Sequence, residues 1–368
     1  MKLICNRQSL YEALTNVSKA AAEKSSIPSL EGIKLSLNSE TLSLTGYNLE
    51  IGIQTSIDVT SSDNAELVVN SRLFSEIIKK MPTDEINIDV DDNLTMTISG
   101  GNTEYSITVI EASEYPAIPD FSKESSLTIS QSVLKDMINK TIFAVSQNDF
   151  RPILKGELFE IENNELNVVA MDGYRLAVRT EAVKSDNNIK FVVPAKTLNE
   201  VSKLLKDDDE LTCDIMVSKK QVVFDISGYT VFSRLLEGEF HNYRGSIPQN
   251  SATEVIIDKR EIVNCLERVS LVINEKVKSP VKCLFDNGTV KITCRSQIGK
   301  INDEIDADIA GPKIEVGFNC KFLLDSLKVI SDDKVKLMMN GGNLPLKIIP
   351  VNGTGYTYIV CVLRIRND

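Results

Sequence analysis

Apolar and polar positions alternate with a period of two along most of the chain. The segments GIKLSL, TLSLTGY, EINIDVD, LTMTIS and EYSITVI are examples, each bounded by Asn, Asp or Gly turn residues. That pattern predicts short, half-buried antiparallel strands. Six stretches break it with helical spacing. Leu10, Leu14, Val17 and Ala21 fall on one stripe, as do Leu134, Ile138, Ile142 and Val145, and Ile262, Leu266, Val269 and Val272. One stripe per helix means one dry face, so each helix lies on a sheet. The six helices are expected over 7–22, 71–81, 130–146, 195–207, 258–273 and 319–331.

These elements recur in order. ELVVNSRLFSEIIKKMPTDEINIDV from Glu66 returns as KFVVPAKTLNEVSKLLKDDDELTCDI from Lys190 and as KIEVGFNCKFLLDSLKVISDDKVKLMM from Lys313. The first halves repeat too, with Pro28, Pro152 and Pro280 as markers. A repeat of domain size implies three similar α+β domains, each with two helices packed on antiparallel sheet, at about 1–124, 125–251 and 252–368.

Composition narrows the function. With 42% apolar and 25% charged residues the chain reads as globular, and its amino terminus offers no signal peptide or membrane span, so a cytoplasmic location is expected. The seven cysteines stand singly and read as buried small apolar residues in a reducing compartment. His241, the single histidine, lacks a second ligand at metal spacing, so no metal and no cofactor is expected. No phosphate loop, dinucleotide fingerprint or nucleophile elbow is present, and Asp172 beside Arg175 reads as an ion pair or turn. The Asp207-Asp208-Asp209-Glu210 run reads as a solvated loop.

The formal net charge is -11, yet the six expected helices carry fifteen Lys or Arg against nine Asp or Glu. Arg7, Lys79, Lys80, Lys135, Lys140, Lys196, Lys203, Lys206, Lys259, Arg268 and Lys328 could therefore line a surface that touches phosphate without reading bases.

RPILKGELFEI, VVAMDGYRLAV, SRLLEGEFHNYRGSIP and the terminal YIVCVLRI closely resemble the beta-subunit family of bacterial DNA polymerase III, the sliding clamps, and the likeness covers the whole chain. The resemblance implies three clamp domains per chain and a head-to-tail homodimer closing a ring around double-stranded DNA. It implies no catalysis, and partners that dock by short peptides: the replicative polymerase, the clamp loader, translesion polymerases and repair proteins. It implies a peptide pocket at Leu154, Gly173, Tyr174, Arg175 and Leu176, with Val277, Asn319, Phe322, Leu344, Leu363 and Arg364 on the third-domain side. His241 and Val362 stand where the family usually has proline, Gly245 where a basic residue is frequent, and Cys361 where a larger apolar residue sits. Lys24 and Asn148 match the family's DNA-contacting loops. Tyr105 and Ile107 would meet Leu271 and Val272 of a second copy. The alternative reading is a monomeric adaptor that binds peptides without enclosing DNA.

Overall fold

The computed structural model describes residues 1–119, 121–148, 150–185, 188–273 and 280–365. The first repeat contributes β1 (Lys2–Asn6), α1 (Arg7–Val17), β2 (Gly32–Asn38), β3 (Thr41–Tyr47), β4 (Ile51–Asp58), β5 (Asn64–Asn70), α2 (Ser71–Lys80), β6 (Glu85–Val90), β7 (Thr95–Gly100), β8 (Thr103–Thr108) and β9 (Ile110–Glu111). The second adds β10 (Ser125–Ser130), α3 (Gln131–Asn139), β11 (Gly156–Glu162), β12 (Glu165–Met171), β13 (Arg175–Ala182), β14 (Ile189–Pro194), α4 (Ala195–Leu204), β15 (Thr212–Val217), β16 (Gln221–Ile226) and β17 (Tyr229–Arg234). The third adds β18 (Thr253–Asp258), α5 (Lys259–Ser270), β19 (Val281–Asp286), β20 (Thr289–Arg295), β21 (Lys300–Asp306), β22 (Asp308–Ala310), β23 (Ile314–Phe318), α6 (Cys320–Lys328), β24 (Lys334–Met339), β25 (Leu346–Pro350) and β26 (Tyr356–Val360).

The helices start where a strand hands over to a capping side chain. Asn6, Asn70, Asp258 and Asn319 accept hydrogen bonds from the backbone N–H of Ser9, Leu73, Glu261 and Lys321. They end earlier than the apolar spacing predicts. After α3 the Thr141 hydroxyl turns back to the Met137 carbonyl, and the chain continues as a single 3-10 turn, Ile142–Ala144. Lys140 and Lys206 therefore lie beyond helix ends and not on them, which corrects their assignment to helix faces.

Contacts divide the chain into two compact units, Met1–Lys135 with Lys196–Leu235, and Asp136–Ala195 with Leu236–Asp368. Each holds one nine-stranded and one four-stranded antiparallel sheet. The repeats and the units do not coincide, because the middle repeat is split. Its β10, β15, β16 and β17 join the first unit through β17–β4, and its β11 to β14 join the second through β13–β26. Edge-to-edge pairing of this kind gives partners to backbone groups that a separate four-stranded half-sheet would leave open.

Helix stripes cover these sheets as the spacing predicts. In the first unit Leu10, Leu14, Val17, Phe74 and Ile78 are fully buried. In the second, Ile262, Leu266, Val269 and Leu327 pack over Val281, Phe285, Leu337 and Ile348. Six cysteines are buried, and Cys361 is half-buried.

Candidate functional site

The site is built on the β12–β13 turn, Asp172-Gly173-Tyr174, beside the end of β26. Asp172 shapes the turn: its Oδ1 accepts from the Tyr174 and Arg175 backbone N–H at 2.8 and 3.0 Å. Gly173 sits at φ 90, a left-handed position that glycine occupies without strain. The Cys361 N–H donates to the Tyr174 carbonyl at 2.8 Å, extending the β13–β26 ladder by one bond. Arg175 is buried and paired with two carboxylates. Its Nε donates to Asp172 at 3.0 Å and its Nη1 to Asp325 at 2.6 Å, and its guanidinium lies 4.6 Å from the centre of the Phe322 ring. Asp172 with Arg175 is thus both the ion pair and the turn that the spacing suggested.

A cavity of about 500 Å³ opens beside this turn. It gathers Gly173, Tyr174, Arg175, Leu176, Leu344 and Cys361 from the expected pocket. Tyr174 is 62% exposed at its mouth, whereas Leu176 is 3% exposed at its base. Leu154 and His241 line a separate cavity of about 490 Å³ with Arg151, Ile153 and Phe240. The two cavities share an apolar floor, since Leu154, Met171, Leu176, Tyr243 and Ile359 form one cluster.

Asn319, Phe322, Val362, Leu363 and Arg364 line neither cavity. Asn319 is the cap of α6, and its Oδ1 accepts from the Lys321 N–H. Phe322 stacks on Tyr174 with ring centres 6.3 Å apart. Val362 packs on the core, the Leu363 N–H donates to the Gly317 carbonyl at 2.7 Å, and Arg364 is exposed. Val277 lies outside the described residues.

Gly245, a pocket position by the resemblance, does line the cavity; sequence reasoning missed the rest of that connecting segment, residues 246–250 with Ile247 and Pro248. Its anchor explains its placement. Glu160 is buried and accepts hydrogen bonds from Tyr243 and Arg244, each at 2.6 Å, while Lys190 lies 2.5 Å away. Burial alone would raise the Glu160 carboxyl, but these donors outweigh it and pull it down to about 2. A Tyr-Arg pair just before an Ile-Pro dipeptide was the available signal.

The basic residues are less free than their number suggests. Among the described residues, Arg7 pairs with Asp84, Lys80 with Glu76, Lys135 with Asp207, Lys140 with Asp136 and Lys203 with Glu200. Lys328 and Arg268 pair with Glu267 and Asp303, and Lys259 donates to the Ile330 carbonyl. Lys79, Lys196 and Lys206 are exposed with no carboxylate at ion-pair distance among the described residues. Lys24 and Asn148 are on exposed loops. Asp207 and Asp209 hold Lys135 and Ser132 of α3, so the acidic run is a tethered loop and not a merely solvated one.

Tyr105 and Ile107 lie on β8, the edge of a four-stranded sheet in the first unit. In the second unit Leu271 is 79% exposed just after α5, and Val272 is partly packed on the core. Ile298 is 63% exposed on the β20–β21 turn, and the sequence reading did not single it out.

No cluster of metal-ligating side chains occurs among the described residues. Burial pushes the thiols of Cys5, Cys213, Cys265 and Cys320 up to about 12, away from nucleophilic thiolate. No helix among the described residues is long and apolar enough to cross a membrane.

Family models match the chain in three consecutive spans: the N-terminal domain of the DNA polymerase III beta subunit over residues 1–119, its central domain over 128–242 and its C-terminal domain over 244–364. The beta sliding clamp of Bacillus subtilis is 33% identical over the full length of both chains. That of Staphylococcus aureus is 30% identical over 99% of each. The solved DNA polymerase sliding clamp of Bacillus subtilis superposes with a TM-score of 0.96 at 32% identity, covering all of both chains. A Pseudomonas aeruginosa clamp bound to griselimycin superposes at 0.94 with 25% identity, covering 99% of this chain and all of that one.

Proposed function

The chain belongs to the DNA polymerase III beta-subunit family, the beta sliding clamps, and from that premise we propose how it performs the work of a clamp. It is a DNA sliding clamp, a non-catalytic accessory subunit that gives a polymerase processivity. The observation that carries this is the end-to-end match of three successive clamp domains. We place the domain borders near residues 124 and 251.

Two copies associate head to tail in the cytoplasm, with β8 of one meeting Leu271, Val272 and Ile298 of the other, and the closed ring encloses duplex DNA. Unlike ends on one chain make a heterologous contact, which forms a ring when it closes. Affinity for DNA then comes from enclosure, while exposed lysines such as Lys79, Lys196 and Lys206, with Lys24 and Asn148 on loops, make weak phosphate contacts. A tethered polymerase that releases its primer end is held at high effective concentration and rebinds.

Partners insert a short, partly apolar peptide at the cavity beside Tyr174 and Leu176. Apolar walls with a few fixed polar groups are what such a peptide needs. Titration with a labelled carboxyl-terminal peptide of the replicative polymerase tests this. Leu176→Ala is expected to weaken binding by about 2 kcal/mol, and unchanged affinity would place the partner site elsewhere. The ring is tested on nicked circular DNA: loaded protein stays on the circle and runs off once it is linearised. A native mass near 40.8 kDa under loading conditions would instead favour the monomeric adaptor.

A further inference from the structure

Arg175 borders the cavity, yet its Nε and Nη1 are already committed to two carboxylates of its own chain. It is 9% exposed, two aspartates hold it, and the Phe322 and Phe143 rings lie 4.6 and 5.5 Å from its guanidinium carbon. We propose that Asp325 of α6 is a positioning residue for the partner site, acting through Arg175 to fix the Asp172–Arg175 turn and the Tyr174 ring that stands on it. This rests on the cavity being the partner site.

The Asp172 carboxylate divides its labour. Oδ1 takes the Tyr174 and Arg175 backbone N–H and so sets the turn, and Oδ2 takes Arg175 Nε. Arg175 is thereby rigidly joined to the backbone that carries Tyr174. Among the described residues, the other end of the guanidinium is held by Asp325, at 2.6 Å. Asp325 and Phe322 are three residues apart and share one face of α6. Phe322 in turn lies against both Tyr174 and Arg175. One helix face therefore holds the mouth of the cavity in place, by a charge-assisted bond and by a ring.

The charges support positioning over ligand contact. Two carboxylates surround one guanidinium, so the group has no uncompensated positive charge for an acidic peptide side chain. Loss of Asp325 would leave a buried guanidinium with half its partners, and the side chain would turn toward water and carry the turn with it.

The test is fluorescence anisotropy of a fluorescein-labelled carboxyl-terminal peptide of the replicative polymerase on the full-length protein. Asp325→Ala is expected to weaken binding about tenfold, and Asp325→Glu to restore part of the loss. In a Tyr174→Ala background, Asp325→Ala should cost less than about twofold, because the ring it positions is gone. The urea midpoint reports plain structural damage and should fall equally in both backgrounds. Equal binding losses in both backgrounds, or unchanged binding in Asp325→Ala while Leu176→Ala binds weakly, would overturn the positioning role. Unchanged binding in Leu176→Ala as well would overturn the site, and the inference with it.

Discussion

The two places where strands of different repeats join, β4–β17 in the first unit and β13–β26 in the second, share one backbone and differ in nearly every side chain. Ile51 faces Ser233 in one and Arg175 faces Val360 in the other, so the register is the same. Arg234 N–H donates to the Glu50 carbonyl at 2.9 Å just as Cys361 N–H does to that of Tyr174. Asn48 caps its turn through Glu50 and Ile51 as Asp172 does through Tyr174 and Arg175. The fillings differ. In the first unit Phe232 lies over Gly52 and against Tyr47, leaving a hollow of about 240 Å³. In the second, Leu176 and Ile359 take those places and about 500 Å³ stays open. Duplication preserved hydrogen bonds, which tolerate side-chain change, and left packing free to narrow one hollow and keep the other wide.

The largest expected effect comes from forcing the first seam to carry the second's side chain. A Cβ on Gly52 would lie 1.9 Å from the Phe232 ring. Gly52→Leu should therefore cost about 3 kcal/mol by overpacking. Adding Phe232→Ile, which copies Leu176 with Ile359, should recover most of it. Urea unfolding of the parent and the two variants checks this, and a double variant no better than Gly52→Leu would mean that the two seams do not share a packing plan.

Much of this was legible in the amino acids. The three-fold repeat, the helix stripes and the Asp172–Arg175 turn all follow from local spacing. The division of the middle repeat was not, because alternation says that a strand such as β13 is half-buried and not which strand it pairs with. Neither was Asp325, which lies 150 residues from Arg175. The lysine count also misled, since only folding brings Asp207 to Lys135 and Asp84 to Arg7.

A second test exploits Glu157, which stands 124 residues after Ile33, the spacing of Pro28 and Pro152; both side chains are fully buried. Burial keeps the Glu157 carboxyl well above the ordinary range, and a hydrogen bond from Thr141 offsets only part of this. The unfolded chain releases this proton at ordinary carboxylate pH while the folded chain retains it. Stability is therefore lost as pH rises above that range. Glu160, on the same strand, acts oppositely: its contribution is present above the ordinary range and is lost as pH falls toward about 2. Glu157→Gln should flatten the alkaline fall, gaining stability relative to the parent as pH rises from about 5 to about 8. Parallel pH profiles for parent and variant would show that Glu157 is ionised in the fold.

The smallest expected effect concerns the turns themselves. Leu49 and Gly173 are equivalent, and both are left-handed, at φ 74 and φ 90. An aliphatic side chain in that region costs about 1 kcal/mol, and Leu49, 37% exposed, offsets only part of this by burial. Asparagine tolerates the conformation, as the chain's own Asn163, Asn164 and Asn287 show at φ 53, 62 and 48. Leu49→Asn should therefore stabilise the first unit by about 0.5 kcal/mol. Gly173→Ala should cost the second about 1 kcal/mol, through backbone strain alone, because a Cβ there meets nothing within 4 Å. The two substitutions thus differ in sign at one shared geometry. If Leu49→Asn instead lowers the urea midpoint as far as Gly173→Ala does, the Leu49 side chain contributes packing to the first seam that offsets its strain.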